Sequence, residues 1–130
     1  MITRKNIFLN LTLIFLLFAI GKSQDVTLWL DGNNLDYESS APIAGFQFDH
    51  DGCVNSAGGG DAAAAGFTVS SSSSTVLGFS FTGATISVGS GTLVELDGDI
   101  VNDCLDNFIL SDSNGGSLDV LYTTMSNGPH

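Results

Sequence analysis

Beyond residue 22 the chain contains no lysine and no arginine. Its three basic side chains, Arg4, Lys5 and Lys22, all precede its 14 carboxylates. A surface without cations cannot neutralise phosphates, so nucleic acid is excluded as a partner. The acidity itself has two readings. It is either a solvated anionic exterior or a set of carboxylates that hold Ca2+ or meet a basic partner. Helix signals are also scarce: "DAAAAGF" at 61–67 is too short for a stable helix and is flanked by glycines. Aromatic hydroxyl and indole groups are few, with one tryptophan and two tyrosines in the whole chain.

What is present begins with a targeting pattern. Arg4 and Lys5 precede the apolar run "IFLNLTLIFLLFAIG", which ends in small residues around Gly21 and Ser23. A basic start, a short apolar middle and small side chains at the end are the marks of a secretory signal peptide. A membrane span needs about 20 apolar residues, and Asn10 and Thr12 interrupt this run. Residues 1–23 are therefore expected to be a signal peptide cleaved after Ser23, with Gly21 as second choice and an uncleaved membrane anchor as the alternative. The Asn-x-Ser/Thr pattern occurs at Asn10-Leu11-Thr12, inside that segment, so no N-glycan is expected on the remainder. Residues 24–130 are one domain's worth of chain.

Within that domain, alternation is the rule. Val26, Leu28 and Leu30 alternate with Thr27 and Trp29. Further runs are "IAGFQFD" (43–49), "GFTVS" (66–70), "TVLGFSFTG" (75–83), "GTLVELDGDI" (91–100), "DNFILSD" (106–112) and "SLDVLYT" (117–123). Period-two segments separated by Gly, Ser, Asn and Asp clusters predict an all-β antiparallel β-sandwich, jelly-roll or Ig-like, of seven to nine strands. Asn114-Gly115-Gly116 reads as the turn of a final hairpin. The serine run 70–75 reads as a flexible loop.

One phrase occurs twice: Gly45-Phe46-Gln47-Phe48 and Gly78-Phe79-Ser80-Phe81. Alternation puts both rings of each phrase on one side of a strand. All four rings are therefore expected inside, with Phe67 and Phe108 completing the aromatic core.

The order "IAGFQFDHDG", "AAAAGFTVSSSSSTVLGFSFTGATISVGSGTLVEL" and "FILSDSNGGSLDVLY" resembles secreted cohesin-like domains, of the group that includes cellulose- and chitin-binding modules. The resemblance covers about residues 26–123, and its motifs are structural. It implies a non-enzymatic domain that binds a dockerin-like or other extracellular protein, or a polysaccharide. Cys104 matches a cysteine position seen in such domains, whereas Cys53, in an earlier loop, departs from them. "DSNGGSLD" at 112–119 is similar to a calcium loop, but Gly116 stands where an oxygen ligand belongs, so it reads as a turn.

Residues that could carry chemistry are few. Cys53 and Cys104 either form a disulfide closing a loop of about 50 residues, or remain free, or bond to a partner. Neither has a second ligand at zinc-finger spacing. Asp49 and Asp51, and Asp97 and Asp99, are candidate donors to calcium. No cofactor is required by any motif, and each acidic group also reads as a solvated edge that discourages aggregation. No serine sits in a nucleophile-elbow setting and no insertion is long enough to build a cleft, so the chain is not expected to be an enzyme. Trp29, Tyr37 and Tyr122 are the candidate platform for sugar stacking, Trp29 because it is out of phase with its apolar neighbours.

The expectation is a secreted, extracellular or cell-surface, non-catalytic binding module engaging a polysaccharide or an extracellular protein. The alternative is a structural spacer of a larger surface protein, with calcium as a candidate stabiliser.

Overall fold

The computed structural model describes residues 25–124, so the expected signal peptide lies outside the described residues. These residues form nine strands: β1 (Val26–Asp31), β2 (Asn34–Ser39), β3 (Gly45–His50), β4 (Val54–Gly58), β5 (Thr68–Ser71), β6 (Thr75–Phe79), β7 (Gly89–Gly98), β8 (Leu105–Ser111) and β9 (Val120–Tyr122). A single-turn helix, α1 (Gly60–Ala64), follows β4, and a 3-10 turn (Asn102–Cys104) precedes β8. A five-stranded sheet in the order β4-β7-β2-β1-β9 packs on a four-stranded sheet in the order β5-β6-β3-β8. The fold is the expected all-β sandwich.

Each inner face follows the period-two pattern. Val26, Leu28 and Leu30 of β1 are buried, as are Leu35 and Tyr37 of β2 and Phe46 and Phe48 of β3. The rings of Phe46 and Phe48 stack at 6.4 Å, Phe67 joins at 6.3 Å from Phe46, and Phe108 lies 5.2 Å from Phe48. Phe108 in turn meets Tyr122 of β9 at 4.6 Å, so one line of rings crosses from sheet to sheet.

Two irregularities keep the core side chains in phase. In the β2–β7 ladder Leu35 pairs with Val94 and Asp36 with Thr92, which leaves Leu93 as an extra residue and buries Leu93 and Val94 together. In the β3–β8 ladder Gln47 pairs with Ile109 and Asp49 with Asp106. Asn107 takes up the slack there with φ at 56°, a conformation asparagine tolerates better than most residues, and Phe108 is turned toward Phe48.

The second Phe-polar-Phe phrase departs from expectation. Phe46 pairs with Gly78, so Val76 and Gly78 are the inward residues of β6. Phe79 therefore points outward and is only half-buried, and Phe81 is 82% exposed. The physical reason is space. A methyl group at residue 78 would overlap the ring of Phe46, so the strand presents its glycine, not its phenylalanines, to the core.

Four smaller differences concern turns and ends. The Ala-rich stretch forms one helical turn, α1, with Ala62 buried against the core. The serine run is a tight hairpin: the Ser72 N–H donates to the Thr75 carbonyl at 2.8 Å, and the Ser72 hydroxyl accepts from the Thr75 N–H at 3.1 Å. The 112–116 turn forms, but the chain beyond it leaves the four-stranded sheet after the Ser111–Ser117 bridge. It becomes β9, which pairs in parallel with β1, so not every pairing is antiparallel.

Cys53 and Cys104 form a disulfide with Cα atoms 6.4 Å apart. Cys53 immediately precedes β4 of one sheet and Cys104 immediately precedes β8 of the other, so the bond ties the two layers at one end. Such a bond belongs to an oxidising environment. Among the described residues no helix is long and apolar enough to cross a membrane.

Candidate functional site

The inverted phase of β6 gives the four-stranded sheet an unusual outer face. Side chains on that face follow from the ladders. One row across the sheet reads Ser70, Leu77, Gln47 and Ile109; the next reads Thr68, Phe79, Gly45 and Ser111. Leu77 is 39% and Ile109 49% exposed, and they flank Gln47 on either side. Phe79 and Phe81 contact each other edge to face at 4.8 Å, which extends the apolar strip beyond the end of β6.

The opposite end of this face is acidic. Asp49 accepts hydrogen bonds from the Thr75 hydroxyl at 3.1 Å and from Asn107 Nδ2 at 3.0 Å, and exposed Asp106 is its ladder partner. No lysine or arginine lies among residues 25–124 to offset this charge. His50 is buried and committed to the backbone: its Nδ1 accepts from the Gly52 N–H at 3.0 Å, so its Nε2–H donates to the Ser72 carbonyl at 2.9 Å. It fastens the β5–β6 hairpin to the end of β3.

The aromatic candidates do not share a platform. Tyr37 is buried on the inner face of the five-stranded sheet, where its hydroxyl donates to Asp61 Oδ2 at 2.6 Å. Burial, then the hydrogen bond and the negative charge of Asp61, raise its pKa well above the ordinary tyrosine value. Tyr122 is half-buried against Phe108, and its hydroxyl donates to the Asn102 carbonyl at 2.9 Å. Burial, then the nearby Asp103, push its pKa up to about 12. Trp29 alone is on the outer face of that sheet, half-buried, opposite Asp36 of β2.

The candidate calcium donors are also scattered. Asp49 is occupied by Thr75 and Asn107, Asp97 and Asp99 are exposed at and beyond the end of β7, and Asp51 is exposed beside the disulfide. Among the described residues the four do not gather three donors at one point, and the sulfurs near Asp51 are bonded to each other.

Sequence reasoning missed Leu77 and Ile109 and placed Phe79 and Phe81 on the wrong side. The run "TVLGFSFTG" does not by itself settle which side faces the core. Its two phases are Val76, Gly78, Ser80 and Leu77, Phe79, Phe81, and the second is the more apolar. A strand whose glycine marks the inward phase exposes the other one.

No protein-family pattern matches the chain, and no curated protein is similar to it in sequence. Among solved structures it is similar to a non-cellulosomal cohesin from the hyperthermophilic archaeon Archaeoglobus fulgidus, with a TM-score of 0.52. The two are 12% identical over 78% of this chain and 86% of that one. At this identity the likeness is one of fold: the chain is a cohesin-like β-sandwich.

Proposed function

We propose that the chain is a secreted, non-catalytic protein-binding module, and that its docking face is the outer surface of the four-stranded sheet. The observation that carries this reading is the run of Leu77, half-buried Phe79 and Phe81, with exposed Ile109 across Gln47, on a protein whose remaining surface is rich in carboxylates. Contiguous apolar surface rimmed by polar groups is the mark of an interaction site. The charge of the rim selects the occupant. A partner that is apolar at its centre and basic at its edge complements this face, whereas an acidic one is repelled. The cohesin-like fold supports an extracellular protein, dockerin-like in the sense of the resemblance, as that partner.

The test is binding to immobilised protein of a panel of dockerin modules and other extracellular proteins, with the Leu77→Asp/Ile109→Asp variant alongside. A partner held by the native protein and released by the variant, at equal thermal stability, supports the proposal. A partner held equally by both overturns it. Polysaccharide binding is the second reading, favoured by the half-exposed indole of Trp29. Tryptophan fluorescence that shifts with glucan or chitin oligomers, unaffected by the double substitution, would establish it instead.

A further inference from the structure

A separate feature lies on the side of α1. A cavity of about 400 Å³ opens between this helical turn, Tyr37 and the segment of residues 85–90 that leads into β7. Its size is within the range of small-ligand sites. At one wall stands Asp61, half-buried, with Oδ2 receiving the Tyr37 hydroxyl at 2.6 Å. The carboxylate lies over Gly91 of β7, where a methyl group would collide with it, so strand and helix together hold it in place. The apolar part of the lining comes from exposed Val88 and Ala64, with half-buried Ala65 and buried Ile86. The hydroxyl-bearing residues Thr85, Ser87 and Ser90 also line it.

The geometry points to a binding site for a primary alkylammonium group. An ammonium carries three donors and no acceptor, which suits a carboxylate oxygen together with serine and threonine hydroxyls. Its methylene stem would lie on exposed Val88 and on Ala64 and Ala65, as lysine stems lie on apolar surface elsewhere. Other ligand classes fit less well. An anion meets no lysine or arginine among residues 25–124. Calcium needs several carboxylates, and Asp61 is the one acidic residue of the lining. A guanidinium makes its best contact as a two-pronged fork onto both carboxylate oxygens. Tyr37 already donates to one of them, so that oxygen has a single acceptor site left for such a fork, whereas an ammonium needs just one oxygen. The cavity is apart from the docking face proposed above, and the inference does not depend on it.

Amide NMR spectra recorded during titration with n-butylammonium chloride test the site, with n-butanol in sodium chloride as the neutral control. Saturable shifts at Tyr37, Asp61 and residues 85–90 are expected, with a dissociation constant on the order of 1 mM. Asp61→Asn keeps an acceptor for Tyr37 but removes the charge, and should weaken binding at least about tenfold. Ala64→Leu narrows the cavity without touching the Tyr37–Asp61 pair and should also weaken it, so the site stays testable if Asp61→Asn does not fold. Comparing butylammonium with a short lysine-containing peptide distinguishes the sources. Tighter peptide binding identifies a partner's lysine, and equal binding identifies a free amine. Absence of saturable shifts, equal shifts with butanol, or unchanged binding to both folded variants would overturn the proposal.

Discussion

The ring of Phe46 lies against the bare Cα of Gly78, its partner in the β3–β6 ladder. This contact sets the phase of β6 and, through it, the composition of both faces of the four-stranded sheet. Gly78→Ala should destabilise the fold by about 1–3 kcal/mol, the usual cost of overpacking a filled core. The penalty should shrink in a Phe46→Leu background, because the two residues are coupled. Phe81→Ser, on the solvent side, should change stability by less than about 0.5 kcal/mol. Chemical denaturation of the native protein, the two single variants, their double variant and Phe81→Ser measures all of this.

The disulfide between Cys53 and Cys104 spans a sequence separation of 51 and joins the two sheets. Chain-entropy reasoning gives a contribution of about 4 kcal/mol for a loop of that length. A Cys53→Ser/Cys104→Ser variant should lose about that much stability. Thermal melts of the native protein with and without a thiol reductant should show the same direction of change.

Alkaline pH should loosen the fold in a defined window. Tyr122 keeps its proton to about 12 in the folded chain, against an ordinary value of 10.0, and Tyr37 is raised further. Above pH 10 the unfolded chain releases protons that the folded chain retains, so deprotonation favours unfolding. The stability these two residues confer is complete below pH 10 and drains away as pH rises through 12. Tyrosinate absorbance during alkaline titration should therefore stay low past pH 10 and rise together with loss of β-sheet circular dichroism. A normal tyrosinate transition centred at 10 in the folded protein would contradict this.

Residues 25–124 carry 14 carboxylates with no lysine or arginine to offset them. Self-repulsion of that kind is relieved by screening. The melting temperature should rise by a few degrees between dilute buffer and high sodium chloride. Calcium chloride at matched ionic strength should give the same rise, because Asp49, Asp51, Asp97 and Asp99 do not converge. A larger rise with calcium would locate a specific site among the carboxylates.

Much of the architecture was legible in the amino-acid sequence. The period-two runs around Val26–Leu30 and Phe46–Phe48 mark strands because each buries one face, and the run at 106–112 falls on β8. Two strands escaped notice. In "NLDYES" Leu35 and Tyr37 are the inward residues, but the surrounding Asn, Asp and Glu make the run read as a loop. Gly32, at φ 62° in the two-residue turn after Asp31, was the overlooked hairpin signal. "VNSAG" of β4 buries little beyond Val54, so its strand character comes from pairing with β7. The docking face was illegible for a related reason. Both phases of β6 are apolar, and only the register that sets Gly78 beside Phe46 decides which one meets the core. The cavity at Asp61 depends on a contact with Tyr37, 24 residues away in sequence, which no local pattern encodes.

The most direct test of the docking face is photo-crosslinking to a bound partner from two positions. A benzophenone side chain would replace either Phe81, on the exposed strip of the four-stranded sheet, or Trp29, on the outer face of the five-stranded sheet. The account predicts that the partner is captured from position 81 and not from position 29. Capture from position 29 alone would contradict it.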